Sequence, residues 1–169
     1  MTVIATLRKS LKAAITAVFE DPAVLAAIGG VAPDVLEGKT AKAWFLMNLR
    51  GNDGIVLGYE NKTLKKRGPL GKRKDKIQFR FTIAICSGDW REPVGATYRA
   101  ADIAEYLTGS SALPDDTPSL RGLVLANVDD CDIYLHYVSE SAEMAPNSTL
   151  QGGRFALVQT WETFPEVTM

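Results

Sequence analysis

The first twenty residues carry the regular apolar spacing of an amphipathic helix. Apolar side chains recur every three or four residues, which puts them on one face, at Ile4, Leu7, Leu11, Ile15 and Val18. Asp21-Pro22 then has the composition of a helix start, with a capping carboxylate followed by a proline. The pattern predicts a long first helix and a short second one, from about Pro22 to Ile28, that ends at Gly29-Gly30.

The middle of the chain alternates apolar and polar residues, which is typical of strands. Residues 33–39 are predicted as a connector and 41–50 as a strand. Gly51-Asn52-Asp53-Gly54 is predicted as a hairpin turn into a return strand at 55–59. The polar segment 60–76 is predicted as a loop. The most regular alternation follows it and predicts the central strand, with five large apolar side chains on one face: Ile77, Phe79, Phe81, Ile83 and Ile85.

The second half of the chain predicts one helix and three further strands. Pro93 opens the helix, whose apolar side chains share one face at Ala96, Ala100, Ile103 and Leu107. Strands are predicted at 120–128 and 133–138, a polar loop at 139–149, and a last strand from about Arg154 to Phe164. This order favours a single α+β domain over residues 1–169, with a mostly antiparallel β-sheet and two main helices packed on one face.

Composition narrows the class of protein. The chain has 169 residues, of which 46% are hydrophobic and 23% charged, so it can bury a core and is not intrinsically disordered. No apolar stretch approaches the roughly 20 residues that cross a bilayer. Charged residues interrupt the first apolar segment, which argues against an export signal. Without such a signal, Cys86 and Cys131 predict two free thiols in a reducing compartment, with a disulfide between them as the minor alternative.

The net charge of -1 hides two oppositely charged halves. Residues 1–80 carry 15 Lys and Arg against 7 Asp and Glu, whereas residues 81–169 carry 4 against 13. The basic residues concentrate at Lys62, Lys65, Lys66, Arg67, Lys72, Arg73, Lys74 and Lys76. The acidic residues cluster at Asp115-Asp116, at Asp129, Asp130 and Asp132, and at Glu140 and Glu143.

Three interpretations of this charge asymmetry stay open. The charged segments are solvated loops, or the basic segment binds nucleic-acid phosphates, although it lacks aromatic residues for base stacking. Alternatively, the basic segment of one copy meets the acidic loops of the next, and such a head-to-tail contact generates a ring when the rotation closes. Trp90, in a predicted exposed loop at 88–93, is a further anchor candidate for such an interface.

No group of residues predicts catalysis. The segment from Asp129 to His136 combines carboxylate, thiol and imidazole groups. However, Asp132 and His136 lie far apart if this segment is a strand, and the set matches no standard zinc spacing. Nothing marks Cys86 or Cys131 as an activated nucleophile, and the glycine pairs lack the patterns of phosphate-binding loops. We therefore expect a protein that is not an enzyme and holds no metal or cofactor.

Four segments in a fixed order carry a resemblance to a known family. They are the N-terminal helix (VIATLRKSLKAAITAVF), the long strand (KDKIQFRFTIAIC), the following helix (YRAADIAEYL) and the terminal strand (GRFALVQTWETF). Their arrangement resembles that of the tail terminators, the tail-completion proteins of long-tailed phages, and most closely the phage Mu-like tail protein family. The resemblance covers nearly the whole chain, except the basic segment 60–76.

The resemblance implies a structural virion protein. Such proteins form hexameric rings that cap the tail tube, stop its elongation and form the joint to the head connector. The implied partners are other copies of this chain, the tail tube protein, the sheath where the tail contracts and the head–tail connector, with DNA only as cargo and no membrane. The implied location is the tail or neck of a virion, assembled in the host cytoplasm. Another head–tail joining or tail-tube component, and a nucleic-acid-binding module that uses residues 62–76, remain as alternatives.

Overall fold

The computed structural model describes residues 2–45, 53–69, 74–87, 93–128, 130–144 and 155–168, with the backbone alone at 74, 93–98 and 167–168. The helices of these residues are α1 (Val3–Glu20), α2 (Pro22–Ala27) and α3 (Pro93–Thr108), and a 3-10 turn spans Ala43–Phe45. Their strands are β1 (Asp34–Glu37), β2 (Gly54–Lys66), β3 (Lys74–Cys86), β4 (Val124–Val128), β5 (Cys131–Tyr134), β6 (His136–Met144), β7 (Phe155–Thr163) and β8 (Glu166–Thr168).

Side-chain caps set where the first two helices begin. The Thr2 hydroxyl accepts a hydrogen bond from the backbone N–H of Ala5, and the Asp21 carboxylate accepts one from the N–H of Ala23 at 3.0 Å. Such caps satisfy backbone donors that the first turn leaves free. The apolar stripe predicted for α1 is buried at Leu7, Leu11, Ile15 and Val18, so the sequence prediction of both helices is confirmed.

The strands form one main sheet and one small one. The main sheet has the order β1-β2-β3-β7-β6, and β8 pairs with the start of β3. Only β1 and β2 run parallel; every other pair is antiparallel. The second sheet consists of β4 and β5. The predicted α+β class and mostly antiparallel sheet are confirmed, and β3 lies at the centre, as its alternation predicts.

The main core lies between the helices and one face of the sheet. Leu11 of α1, Ile103 of α3 and Phe81 and Ile83 of β3 are all fully buried in this cluster, as is Trp161 of β7. A smaller cluster covers the other face of the sheet, where Trp44 of the 3-10 turn packs over its members Val56, Ala84, Cys86, Ala156 and Val158. The prediction that the helices share one face is therefore confirmed.

The structure corrects the prediction for residues 33–54. The predicted connector contains β1, which pairs with Gly54–Leu57 of β2. The predicted strand at 41–50 instead forms a 3-10 turn at Ala43–Phe45, and residues 46–52 lie outside the described part. The hairpin prediction is wrong for β2, because β1 occupies the edge that the predicted partner strand would take. The turn buries Trp44 on the sheet. Such a tertiary contact cannot be predicted from the local alternation of apolar and polar residues.

The structure also corrects the two segments predicted as polar loops. Within the predicted loop 60–76, residues 60–66 belong to β2 and residues 74–76 to β3, with Lys62 opposite Phe79 and Lys66 opposite Lys76; residues 70–73 lie outside the described part. The predicted loop 139–149 contains the second half of β6, which pairs with β7 as far as Met144; residues 145–149 lie outside the described part. The predicted strand 133–138 is divided between β5 and β6, and that at 120–128 begins at Val124. The last predicted strand is confirmed as β7.

Cys131 is exposed and carries a free thiol, as the sequence predicts, whereas Cys86 is buried. Among the described helices, none has both the length and the apolar character to span a bilayer.

Candidate assembly surfaces

Strand β2 divides into a buried and an exposed half. Residues 54–58, which we call the inner half, are all buried, whereas residues 60–66, the outer half, are all exposed. The register shifts at Glu60 and again at Lys65, and such bulges increase the twist of a strand. The outer half therefore forms the edge strand of a ribbon that extends past the end of β1, and the inner strand of this ribbon, β3, pairs on its other side with β7 and β8.

The outer half and the residue after it carry much of the basic charge that the sequence singled out. Lys65, Lys66 and Arg67 are exposed, and no ion pair among the described residues involves them. Lys66 lies opposite Lys76, a pairing of like charges that is unfavourable in an isolated sheet. Lys76 lies with its Nζ 5.9 Å from the ring centre of Phe164. The end of the ribbon therefore offers positive charge to an external partner.

The other basic candidates are only partly described. Lys74 begins β3, but only its backbone is described, and Lys72 and Arg73 lie outside the described residues.

A polar network fixes the base of the ribbon on the face away from the helices. The Nε of Arg80 donates to Oε1 of Glu162 at 2.9 Å, and Gln78 donates to the same carboxylate. Glu60 lies 3.9 Å from the Arg80 guanidinium. The hydrogen bond to Glu162 raises the pKa of Arg80 above its ordinary value. The ribbon is thus joined to β7 by a charged side-chain contact as well as by the backbone ladder.

Strand β6 forms the opposite edge of the main sheet. It pairs with β7 on one side, and no strand of the described part pairs with its other side. Eight of its nine residues are exposed, including Tyr137, Val138 and Met144. It also carries Glu140 and Glu143. A nine-residue edge strand with exposed apolar side chains is a template for pairing with another chain.

A groove of about 850 Å³ lies beside β6, between this strand, β5 and the end of α3. Its lining includes Glu105, Arg121, Tyr134, Tyr137, Glu140 and Trp161. Burial, and secondarily the charge of Glu140, raises the pKa of Tyr137 above its usual value. The groove combines aromatic surface with two carboxylates, and neither carboxylate belongs to an ion pair among the described residues.

Hydrogen bonds hold one wall of this groove in place. The Nε2 of Gln159 donates to the backbone oxygen of Ala104 at 3.1 Å and to Oε1 of Glu140 at 3.1 Å. The indole N–H of Trp161 donates to the Gln159 side-chain oxygen at 3.0 Å. The ring of Tyr137 packs edge-on against that indole, with 5.2 Å between ring centres. Glu140 and Tyr137 therefore project on the helix side of β6 in fixed positions.

The predicted acidic cluster lies on a separate surface, the turn between β4 and β5. Asp130 has a left-handed backbone (φ 61°), which Asp tolerates better than most residues, and its side chain is exposed. Asp132 accepts a hydrogen bond from Asn127 at 2.8 Å. The ring of His136 lies 5.5 Å from that of Phe164. Asp129 lies outside the described residues.

The described residues contain no group of three or more His, Cys, Asp or Glu side chains that is arranged to hold a metal ion.

The structure therefore brings together Lys65, Lys66 and Arg67, and separately Asp130 and Asp132. Trp90 lies outside the described residues, so its role as an anchor stays a prediction. Glu140 stands out in the sequence, but the groove and the edge strand that carry it do not. The one available signal was the apolar pair Tyr137-Val138, which precedes a segment that reads SESAEM.

The comparisons with known proteins give a distant likeness to a solved structure. No protein-family model matches the chain, and no curated protein matches it. The structure is similar to a chain of a solved structure described as the virion of a native gene transfer agent particle. The TM-score is 0.47 and the sequence identity 15%, over 95% of this chain and 98% of that chain.

Proposed function

We propose that this chain is a structural virion protein that closes into a ring, caps the end of a phage tail tube and forms the joint to the head connector. The proposal follows the resemblance in element order to tail terminators. The partners in that role are other copies of the chain, the tube protein, the connector and, in a contractile tail, the sheath. The function requires shape and charge and no catalytic group.

One observation carries the proposal furthest. A single sheet has two exposed strand segments on opposite edges, and they differ in charge: the outer half of β2 is basic, whereas β6 is acidic. A surface that is complementary to another surface of the same molecule favours head-to-tail association, and a closing rotation makes a ring of it. Opposite charges speed the encounter and fix the register. A monomeric enzyme or regulator has no need of such a pair.

Deleting the gene in the phage or particle-producing strain that encodes the chain tests the capping role. We expect tails of uncontrolled length that carry no heads, because nothing stops the tube and nothing joins it to a connector. Tails of normal length without heads would indicate a connector component instead. A complete absence of tails would indicate a tube protein. Supplying the gene in trans must restore normal tails, which controls for effects on neighbouring genes.

A second candidate function rests on the basic ribbon. Lys62, Lys65, Lys66 and Arg67 are all exposed and stand free to neutralise phosphates. The measurement is fluorescence anisotropy with a labelled DNA duplex at two salt concentrations. If four phosphates are neutralised, the affinity must fall by roughly two orders of magnitude for a fourfold rise in salt. Binding whose affinity does not fall as salt is raised, or no binding at all, counts against this candidate.

A further inference from the structure

We propose that the outer half of β2 in one copy pairs antiparallel with β6 of the next copy, so that the main sheet continues from copy to copy. This interface rests on the proposed ring function, and it specifies the two surfaces that close the ring. Both segments are exposed and unpaired on one side within the described part of the chain. Their backbone N–H and C=O groups are available for the contact.

Strand direction permits this junction. From β2 through β3 and β7 to β6, each neighbouring pair is antiparallel. Since four strands alternate in direction, β2 and β6 of one copy run in opposite senses. A copy related by rotation about an axis along the strands therefore presents its β2 antiparallel to β6 of its neighbour. The junction repeats the pairing that the sheet already uses.

The lengths of the two segments also match. Strand β1 covers residues 54–57 of β2, and the Gly38 N–H donates to the Leu57 carbonyl at 2.8 Å just beyond it. The edge of β2 is open from about residue 59 to residue 66. This open edge is about eight residues long, so it accommodates nearly the whole of the nine-residue β6 without displacing β1.

Charge and side-chain direction select the register. Lys62 lies opposite Phe79, which is buried in the helix-side core, so Lys62 points to the helix side of the sheet. Glu140 lies opposite Gln159, whose amide reaches α3, so Glu140 points to the same side. Because residues opposite each other share a face, Lys62 can face Glu140 directly across the junction.

This register also pairs exposed apolar residues. Two residues beyond Lys62 is Leu64, which is 49% exposed, and two residues before Glu140 is Val138, which is 43% exposed. Counted along the two strands, they lie opposite each other when Lys62 faces Glu140. Tyr137, which pairs with Trp161 across the register shift at Val138, lies next to them. Lys62 and Leu64 then project over the groove beside β6, where Glu105 supplies a second carboxylate. The contact buries apolar surface and neutralises charge together.

The same register gives an offset that suits a closed sheet. Within one copy Lys62 is level with Phe79, whereas Glu140 is level with Ile83, four residues along β3. Successive copies are therefore displaced by about 13 Å along the strands, while four strands span roughly 19 Å across the sheet. The strands tilt by about 35° from the ring axis, at the low end of the range of closed β-sheets.

A charge-swap series tests the pairing by light scattering coupled to size exclusion. Lys62→Glu and Glu140→Lys should each weaken association at least about tenfold, and the double variant should restore most of it. The matched control combines Lys62→Glu with Glu143→Lys. Glu143 lies opposite Ala156 on the other face, so this combination should not restore association. Equal rescue by both combinations would show that net charge, not this register, drives assembly.

Disulfide trapping tests the register itself. In a Cys131→Ser background, Thr63→Cys with Ser139→Cys places two thiols opposite each other across the junction, whereas Thr63→Cys with Ser141→Cys places them two residues apart. Oxidation should give a covalent ladder up to the closed ring only from the first pair. Rings that form without this ladder would overturn the interface while the ring function stands. Absence of rings in the unmodified chain would instead overturn the proposed function.

Discussion

The two halves of β2 belong to one continuous strand and both pair with β3, yet they differ in burial and in charge. The inner half is buried on both faces, with Ile55 and Leu57 in the helix-side core and Val56 under Trp44. The outer half is exposed throughout and carries three lysines. The backbone ladder to β3 continues through both. The hydrogen-bonded ladder alone therefore does not determine how much a strand segment contributes to the stability of the fold. The burial of its side chains determines that contribution.

This difference separates stability from assembly along a single strand. Burial of large apolar side chains drives folding, so the inner half holds the copy together. The outer half buries little within the copy, and in the proposed ring its charge contacts another copy. Changes in the inner half should unfold the protein, whereas changes in the outer half should alter self-association and leave the fold intact.

The largest expected effect is a difference in the free energy of unfolding between a Leu→Ala substitution in the inner half and one in the outer half. Leu57→Ala removes a fully buried side chain and should lower the free energy of unfolding by about 2–5 kcal/mol. Leu64→Ala removes an exposed one and should change it by less than about 0.5 kcal/mol. Urea denaturation in about 0.5 M NaCl, which screens contacts between copies, measures both. Equal losses would contradict the division of β2.

The boundary between the halves should tolerate no added side chain. A Cβ on Gly58 would lie 2.6 Å from the Thr40 carbonyl oxygen and 2.9 Å from the Cα of Ala41. Because these distances are shorter than van der Waals contacts, the backbone of residues 40–41 or of β2 would have to move. We expect Gly58→Ala to lower the free energy of unfolding by about 1–3 kcal/mol. Thr63→Ala, on the exposed half, is the control and should be close to neutral. A neutral Gly58→Ala would mean that residues 40–41 do not pack on β2.

A smaller effect is expected where the inner half begins. Arg99 of α3 donates to Asp53 at 2.9 and 3.0 Å and also to the Ile28 carbonyl. These contacts join α3 and the end of α2 to the residue that precedes β2. Its side chain is 34% exposed, so solvent screens part of the attraction. Arg99→Met should lower the free energy of unfolding by about 1 kcal/mol.

The control for this prediction is Lys42→Met at an exposed position, which should have little effect. Equal effects of the two substitutions in urea denaturation would show that the Arg99 contacts contribute nothing to stability.

The smallest expected change in the free energy of unfolding is an increase, whereas the changes above are decreases. Because Lys66 faces Lys76, Lys66→Glu replaces a repulsion by an attraction and should stabilise the single copy by a few tenths of a kcal/mol. The same change should weaken association between copies. Thermal unfolding and light scattering on the same samples measure both. A variant that is less stable and associates normally would reverse the roles assigned to the two halves.

The sequence predicted those elements whose burial repeats with a regular period. The stripe of α1 and the alternation of β3 are both direct consequences of one buried face, and the structure has them as expected. The outer half of β2 and the second half of β6 bury almost nothing, so they leave no alternation and resemble loops. The 3-10 turn at Trp44 follows from tertiary packing, which a local pattern does not contain.

The candidate surfaces were predictable in charge but not in geometry. The basic residues Lys62 to Arg67 and the acidic residues Glu140 and Glu143 stand out in the sequence. Their positions on opposite edges of one sheet depend on the strand order, which results from long-range pairing. The groove beside Tyr137 likewise requires α3 and β5 to meet β6. The sequence alone therefore suffices to propose head-to-tail charge pairing, but not to propose its register.

The central claim is that copies of this chain close into a ring through opposite edges of one sheet. Light scattering coupled to size exclusion on the unmodified chain at low salt, with negative-stain images of the same peak, tests it most directly. We expect closed rings of about six copies of the 18.4 kDa chain, which dissociate as salt is raised. Open filaments, or a single copy at every concentration up to about 1 mM, a range in which even weak specific contacts are populated, would contradict the claim.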